Sequence, residues 1–371
     1  MNLHFIISTA ALILTLALQP AMLPAQEVSS VVGFPASEPG YALGVSACYA
    51  GKIGNHLIMA GGCNFITPGH KTFYAGVYAA RIDRKVLNWQ LVGWLPESAA
   101  YGISVSAGDS IVIAGGCNEK HSLATAYSLH LNATADSINI TPLTSLPCTI
   151  DNMAAACANG QMYIVGGNAN GKASKGVWSA NIADGKPLTW QKHKDMPGMP
   201  RVQPVAAAAS NKVYVWGGFH ADGNNSMVHT DGISLNTSTE IWTPLPAPTI
   251  DNTPATLSGG IAYTPCNATD NIIAMGGVNK DIFLDAISGR YSLVDKSNYL
   301  NKPIAWYAFN KRMYTFSTKE QVWLPTTFDS TFLARAGALA VPTDIGCFYI
   351  GGELKPALRT PQIVLISNRQ L

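Results

Sequence analysis

The stretch HLIMAGG at residues 56–62 decides the fold, because it recurs as SIVIAGG (110–116), QMYIVGG (161–167), KVYVWGG (212–218), NIIAMGG (271–277) and CFYIGG (347–352). Each copy is a short apolar run that ends on two glycines. That is the pattern of a buried strand stopped by residues free to take left-handed dihedrals. The leading glycines of the first four copies, Gly61, Gly115, Gly166 and Gly217, are 54, 51 and 51 residues apart.

A period near 50 with a diglycine-ended strand predicts a propeller of kelch type, one four-stranded blade per copy. A second marker runs out of phase with the first. It is an apolar residue followed by proline, at Phe34-Pro35, Leu95-Pro96, Leu146-Pro147, Met196-Pro197, Leu245-Pro246 and Leu324-Pro325. Trp89, Trp190 and Trp242 lie upstream of three of these, and Trp323 directly before another. The marker reads as the end of an outer strand, where proline is tolerated. Its first copy precedes the first diglycine and none follows the last, so the last blade lacks an outer strand of its own. The segment SSVVGFPASEPGYALGVSA (29–47) aligns with QLVGWLPESAAYGISVSA (90–107). The fold expected is therefore an all-β, six-bladed kelch-type β-propeller, its ring closed by the N-terminal strand joining the last blade. Blade one should use Gly44 to Gly51, His56 to Gly62, Gly76 to Asp83 and Trp89 to Leu95. Between Phe283 and Arg312 blade five carries an insertion too aromatic and charged for a flexible linker.

Composition agrees with one repeat array in a chain of 371 residues. Lys and Arg number 24 against 22 Asp and Glu, and no basic stripe is present, so nucleic acid is not an expected partner. The apolar run Phe5 to Leu18, with Pro20, Pro24 and small residues to Ala25, reads as a secretory signal peptide. It is too short to span a bilayer as a stable helix. Residues 1–25 are then a leader. Residues 26–371 would then form one exported propeller domain, without stable membrane insertion after cleavage. The cysteines Cys48, Cys63, Cys117, Cys148, Cys157, Cys266 and Cys347 are odd in number and lack zinc spacing, so most read as small buried apolar residues.

Blade strands alternate direction, which brings the loops after the diglycines and the loops after the apolar-Pro markers to one face around the channel. That face carries Asn64, Lys71, Glu119, Asn168, His220, Asn279, Glu353, Lys355 and Arg359 from the first set. The second set adds Tyr41, Tyr101, Asp151, Asn152, Arg201, Gln203, Asp251, Asn252 and Arg335. The repeated Thr-Ile-Asp-Asn at 149–152 and 249–252 also reads as a self-bonding turn. His220 with Asp222 and His229 with Asp231 lack a third ligand, so no metal site is expected. No Gly-x-Ser-x-Gly elbow occurs.

In the last blade, Gly352-Glu353-Leu354-Lys355-Pro356-Ala357-Leu358-Arg359-Thr360 closely resembles the signature of the bacterial sialic acid mutarotases, or N-acetylneuraminate epimerases, a family of six-bladed kelch propellers. Gly276-Gly277-Val278-Asn279 with Phe283, Pro200-Arg201-Val202-Gln203, Tyr101-Gly102-Ile103-Ser104 and Tyr307-Ala308-Phe309-Asn310-Lys311 resemble further family segments. The Glu-bearing blade comes last here, as in a cyclically permuted branch. Ala357 stands where the family often has glycine. The resemblance implies an isomerase that interconverts anomers of N-acetylneuraminate or a related acidic sugar without cofactor or metal. Glu353 and Arg359 would be catalytic, with Arg201, Gln203, Asn279, Asn64, Tyr101, Arg335 and Lys355 binding substrate. The other reading is a kelch sugar-binding or protein-interaction module without catalysis.

Overall fold

The computed structural model describes residues 26–182, 187–266, 268–325 and 328–368. The leader assigned to residues 1–25 lies outside them. Among the described residues, six antiparallel sheets each present four strands in meander order. Blade one runs Tyr49–Ile53, His56–Ala60, Gly76–Arg81 and Gln90–Trp94. Blade six is built from both ends of the chain: Leu339–Thr343, Gly346–Ile350, Ile363–Asn368 and, outermost, Gln26–Val31. The N-terminal strand pairs from Gln26 opposite Asn368 to Val31 opposite Ile363, which is the expected closure.

The innermost strands begin at a belt of hydrogen bonds. Tyr101 N donates to Ala47 O (2.9 Å), Asn152 N to Tyr101 O (2.8 Å) and Gln203 N to Asn152 O (2.8 Å). Gly259 N donates to Gln203 O (3.0 Å), Gly337 N to Gly259 O (2.8 Å) and Ala47 N to Gly337 O (2.8 Å), which returns to the start. One residue per blade thus bonds the blade before it and is bonded by the blade after. All are left-handed, with φ of 54° at Ala47, 62° at Tyr101, 54° at Asn152, 50° at Gln203, 71° at Gly259 and 61° at Gly337.

The diglycines sit directly beneath the next blade's entry to that belt. A Cβ on Gly61 would lie 2.3 Å from Ala99 O, and one on Gly276 would lie 2.6 Å from Arg335 O, so no larger residue fits. The second glycine uses the approach. Gly62, Gly116, Gly167 and Gly277 each donate N–H to the neighbouring blade at 2.8 Å, to Ala99, Ile150, Arg201 and Arg335 respectively. The core fills the wedges between blades. Tyr41, Leu57, Phe348 and Leu365 pack across the junction of blades six and one. The tryptophans staple the outer edges, with Trp190 Nε1 donating to Thr144 O, Trp242 to Lys194 O and Trp323 to Pro246 O.

Three local expectations need correction. The first strand of blade one starts at Tyr49, not Gly44, because Gly44 and Ala47 both turn left-handed. The alignment of segments 29–47 and 90–107 fails in its second half. The belt residue is Ala47 in one blade and Tyr101 in the next, and the extra loop length before Ala47 is filled by the short helical turn Tyr41–Leu43. The second Thr-Ile-Asp-Asn copy stays out of the belt. It forms an exposed hairpin, Thr249–Ile250 against Thr253–Pro254, and Gly259 takes the belt position. The cysteines divide: Cys48, Cys63 and Cys347 are buried, whereas Cys157 and Cys266 are exposed. Every cysteine is a free thiol.

A chain beginning at Val32 should fold less stably than one beginning at Gln26. It loses an outer strand and the burial of Val31, and it bares the edge of Ile363–Asn368. Thermal unfolding and light scattering should show a lower midpoint and more self-association; equal midpoints would remove the strand's role in closure.

Candidate functional site

Each residue that follows a diglycine pairs with the residue just before the belt. Cys63 bridges Ser46, Cys117 bridges Ala100, Asn168 pairs with Asp151, Phe219 with Val202 and Glu353 with Ala336. Val278 N bonds Ser258 O in the same place. Six equivalent positions therefore ring the channel mouth, and only Glu353 among them is charged.

Glu353 opens a two-strand hairpin, Glu353–Lys355 against Leu358–Arg359, in which Glu353 and Arg359 are cross-strand partners. The turn places Ala357 at φ 66°, a conformation that glycine adopts without strain. Arg359 Nη1 donates to Glu353 Oε2. Arg359 is buried, with the ring of Phe65 5.1 Å from Cζ. Glu353 retains 25% side-chain exposure, so one edge of the pair is open to a ligand. Burial pushes the Glu353 carboxyl above its ordinary range, while Arg359 and then Lys71 pull it back.

A second hairpin, Cys63–Thr67 against His70–Phe73, faces the first across the junction of blades six and one. It presents Lys71, whose Nζ donates to Tyr101 Oη at 3.2 Å and lies 4.8 Å from that ring's centroid. Cys63 Sγ also approaches Tyr101 Oη, at 3.5 Å. Burial raises the Tyr101 phenol well above its usual value, with Cys63 adding and Arg359 opposing. Glu353, Arg359, Tyr101 and Lys71 thus form one group. Lys71 is a member that the sequence places on this face without singling it out.

Along the channel axis lies a cavity of about 230 Å³. Its wall is mostly small side chains of the inner strands, including Ala50, Ser104, Ala155, Ala206, Ala262 and Ala340. Tyr101, Asn152 and Gln203 belong to its wall and Glu353 does not. Tyr101 is therefore the link between the charged group and the channel. Asn152 Oδ1 accepts from Gln203 Nε2 at 2.7 Å, which fixes both side chains at the mouth.

The other candidates are engaged elsewhere. Arg201 is buried, donating Nη1 to Gly217 O (2.8 Å) and Nη2 to Asp231 Oδ2 (2.8 Å). His229 and Arg201 together bring Asp231 down to about 2. Arg335 is fully buried and donates Nη1 to Gly351 O (3.0 Å) and Gln362 O (2.8 Å). Asn64 is buried too, donating Nδ2 to Gly40 O and Gly44 O and accepting from Tyr74. Asn279 caps the helix Lys280–Ile287 through the N–H groups of Asp281 and Ile282. Lys355 donates Nζ to Leu300 O (2.9 Å) and Lys302 O (2.7 Å), tying the blade-five insertion to the Glu353 hairpin. That insertion is ordered by its own aromatic cluster of Tyr291, Tyr299, Trp306 and Tyr307, joined edge to face.

Fold and site together define a six-bladed propeller with a half-buried carboxylate paired to a buried guanidinium in one loop at the channel mouth. The family model described as N-acetylneuraminate epimerase matches residues 142–370, and the chain belongs to that family. The chain is 28% identical over 258 residues to N-acetylneuraminate epimerase of Yersinia pestis (strain Pestoides F), covering 65% of this chain and 61% of the relative. It is 29% identical over 252 residues to the N-acetylneuraminate epimerase of Escherichia coli O157:H7, 64% of this chain and 63% of the relative. The chain thus spans about three fifths of the length of these curated relatives. The solved "Structure of YjhT" matches with a TM-score of 0.62 at 13% identity, over 88% of this chain and 98% of that one, a likeness of fold.

Because Arg335 Nη1 and Nη2 satisfy carbonyls of the last blade in a dry interior, Arg335→Met should lower stability by about 3 kcal/mol. Denaturant unfolding measures it. A loss below about 1 kcal/mol would show that those carbonyls find other partners.

Proposed function

We propose that this protein interconverts the anomers of N-acetylneuraminate, or of a closely related acidic sugar, by acid–base ring opening. The observation that carries this reading is the Glu353–Arg359 pair: cross-strand in one hairpin, its guanidinium buried, and open along one edge of the carboxylate. The substrate is a hemiketal with a carboxylate on its anomeric carbon. Glu353 accepts the proton of the anomeric hydroxyl as the bond from that carbon to the ring oxygen breaks. A ketone forms, and a proton is delivered to the former ring oxygen. Rotation about the bond to the planar carbonyl carbon then lets the hydroxyl attack the other face, and the proton transfers reverse. Atoms and charge are conserved, so no cofactor or metal is called for. Arg359 meets Glu353 through Nη1, and its remaining donors suit a substrate carboxylate. A carboxyl held above its usual range is a better proton shuttle near neutrality.

The difference between sequence and fold coverage supports a permuted member of the family. Alignments along the sequence stop at about three fifths of the curated relatives, whereas the fold superposes over most of YjhT. A closed ring permits this, since any blade junction can carry the chain ends. Residues 1–25 fit an export leader, which would set the protein in the periplasm of a two-membrane bacterium with Gln26 near its mature terminus. Among the described residues no helix is long and apolar enough to cross a membrane. Mass spectrometry of the exported protein should find a start close to Gln26, and an intact Met1 would rule the leader out.

The direct Arg359–Glu353 contact also suits a purely structural ion pair in a non-catalytic sugar-binding module. Substitution separates the two. Glu353→Gln should slow anomer exchange about 10²-fold or more while binding survives, read by proton NMR of freshly dissolved N-acetylneuraminate. Arg359→Lys should weaken binding as well as rate, because the paired donors are lost. Near-normal exchange by folded Glu353→Gln would refute the catalytic assignment and favour the binding module.

A further inference from the structure

We propose that Tyr101 is a second proton-carrying group of this site, held in place by Lys71, and that it serves the ring oxygen while Glu353 serves the exocyclic one. The assignment rests on the mutarotase reading above. Ring opening moves two protons, one off the exocyclic hydroxyl and one onto the ring oxygen. Glu353 serves the first of these oxygens, and the second needs another group. The structure offers Tyr101, on blade two, with Glu353 on blade six.

Three features single out this phenol. First, its direction is set by the belt: its N–H bonds Ala47 O and its carbonyl receives Asn152 N–H. A non-glycine residue at φ 62° is strained, and here it is over-determined on both sides. Second, two donors converge on its oxygen, Lys71 Nζ at 3.2 Å and Cys63 Sγ at 3.5 Å. The phenol's own hydrogen is thereby left for a ligand oxygen. Third, Tyr101 alone joins the charged group to the wall of the channel cavity. Lys71 is itself confined, its ammonium 5.8 Å from the ring centroid of Phe65, 5.9 Å from Phe73 and 4.8 Å from Tyr101. Such a cage holds the cation where it stabilises charge on the phenol oxygen.

The step balances. In one direction Glu353 takes the proton of the anomeric hydroxyl, the carbon–ring oxygen bond breaks with its electron pair on oxygen, and Tyr101 gives its proton to that oxygen. The ketone then rotates. In closure the hydroxyl returns its proton to Tyr101 as it attacks carbon, and the protonated Glu353 gives its proton to the carbonyl oxygen. The phenolate is transient and faces the Lys71 ammonium. Lys71 acts through Tyr101 and is a positioning residue.

Tyr101→Phe is the sharp test, since it keeps the ring, the belt bonds and the cation contact and removes only the hydroxyl. Anomer exchange of N-acetylneuraminate, followed by proton NMR at saturating sugar, should fall at least ~10²-fold, with the unfolding midpoint close to that of the unmodified chain. Lys71→Met should slow exchange, and Lys71→Arg should recover part of the rate by restoring a cationic donor to the phenol. Unaltered exchange in Tyr101→Phe overturns the assignment while leaving the mutarotase reading intact. Failure of the unmodified chain to accelerate exchange overturns both. Should Tyr101→Phe fail to fold, the lysine pair decides: equal rates in Lys71→Met and Lys71→Arg, or no loss in either, count against a proton-carrying Tyr101.

Discussion

The belt of N–H···O=C bonds that passes from Ala47 through Gly337, Gly259, Gln203, Asn152 and Tyr101 is the constraint on which the rest of the molecule depends. Each bond is ordinary, worth about 1 kcal/mol net. What it demands is not ordinary, because every belt residue must turn left-handed, at a cost of roughly 1–2 kcal/mol for a side-chain-bearing residue. Glycine meets that demand at Gly259 and Gly337, and asparagine at Asn152 meets it with less strain than most. Ala47, Tyr101 and Gln203 meet it only because a closed ring fixes them from both neighbours. Strain held this way orients side chains. The hydroxyl of Tyr101 and the amides of Asn152 and Gln203 are aimed at the channel mouth by backbone geometry before any ligand is present.

The same register explains why a single carboxylate is enough to make a site. The position after each diglycine is repeated around the mouth and filled by Cys63, Cys117, Asn168, Phe219, Val278 and Glu353. Five neutral occupants leave the mouth poorly able to solvate charge, so Glu353 is pushed toward its protonated form. The cost of burying it is offset by Arg359 across the hairpin and by Lys71 from the facing one. Arg201 and Arg335 show the contrasting use of a guanidinium. Both are buried deeper and spend their donors on diglycine carbonyls, Gly217 O and Gly351 O, which closes the loop beneath the belt.

Much of this was legible in the residues. The diglycines and apolar-Pro markers fix six blades, their phase puts Gln26–Val31 on the last blade, and Glu353 and Arg359 stand out by resemblance. Two kinds of feature escaped. One is register: Thr-Ile-Asp-Asn occurs twice, yet only Asn152 reaches the belt, because the loop after Asn252 is long enough for Gly259 to take its place. Five belt residues precede their channel strands by two positions, whereas Gln203 lies inside Val202–Ala209, so the step shows only once the strands are seen. The other is partner choice. Nothing in the spacing shows that Asn64 will bond Gly40 and Gly44, that Asn279 will cap a helix, or that Lys355 will reach Leu300 and Lys302. Long polar side chains find their partners in three dimensions, and several blades offer backbone carbonyls at similar range.

Ring closure and the Glu353–Arg359 pair meet at one junction. Glu353 and Arg359 belong to blade six, Phe65 and Lys71 to blade one, and Tyr101 to the start of blade two. The wedge between blades six and one is held by Tyr41, Leu57, Phe348 and Leu365, and its outer edge by the N-terminal strand. Phe65 of blade one lies against the guanidinium of Arg359 of blade six, so the wedge and the ion pair share one seam. The N-terminal strand buries Val31 in that wedge, and the belt bond from Ala47 N to Gly337 O crosses the same junction at the channel mouth.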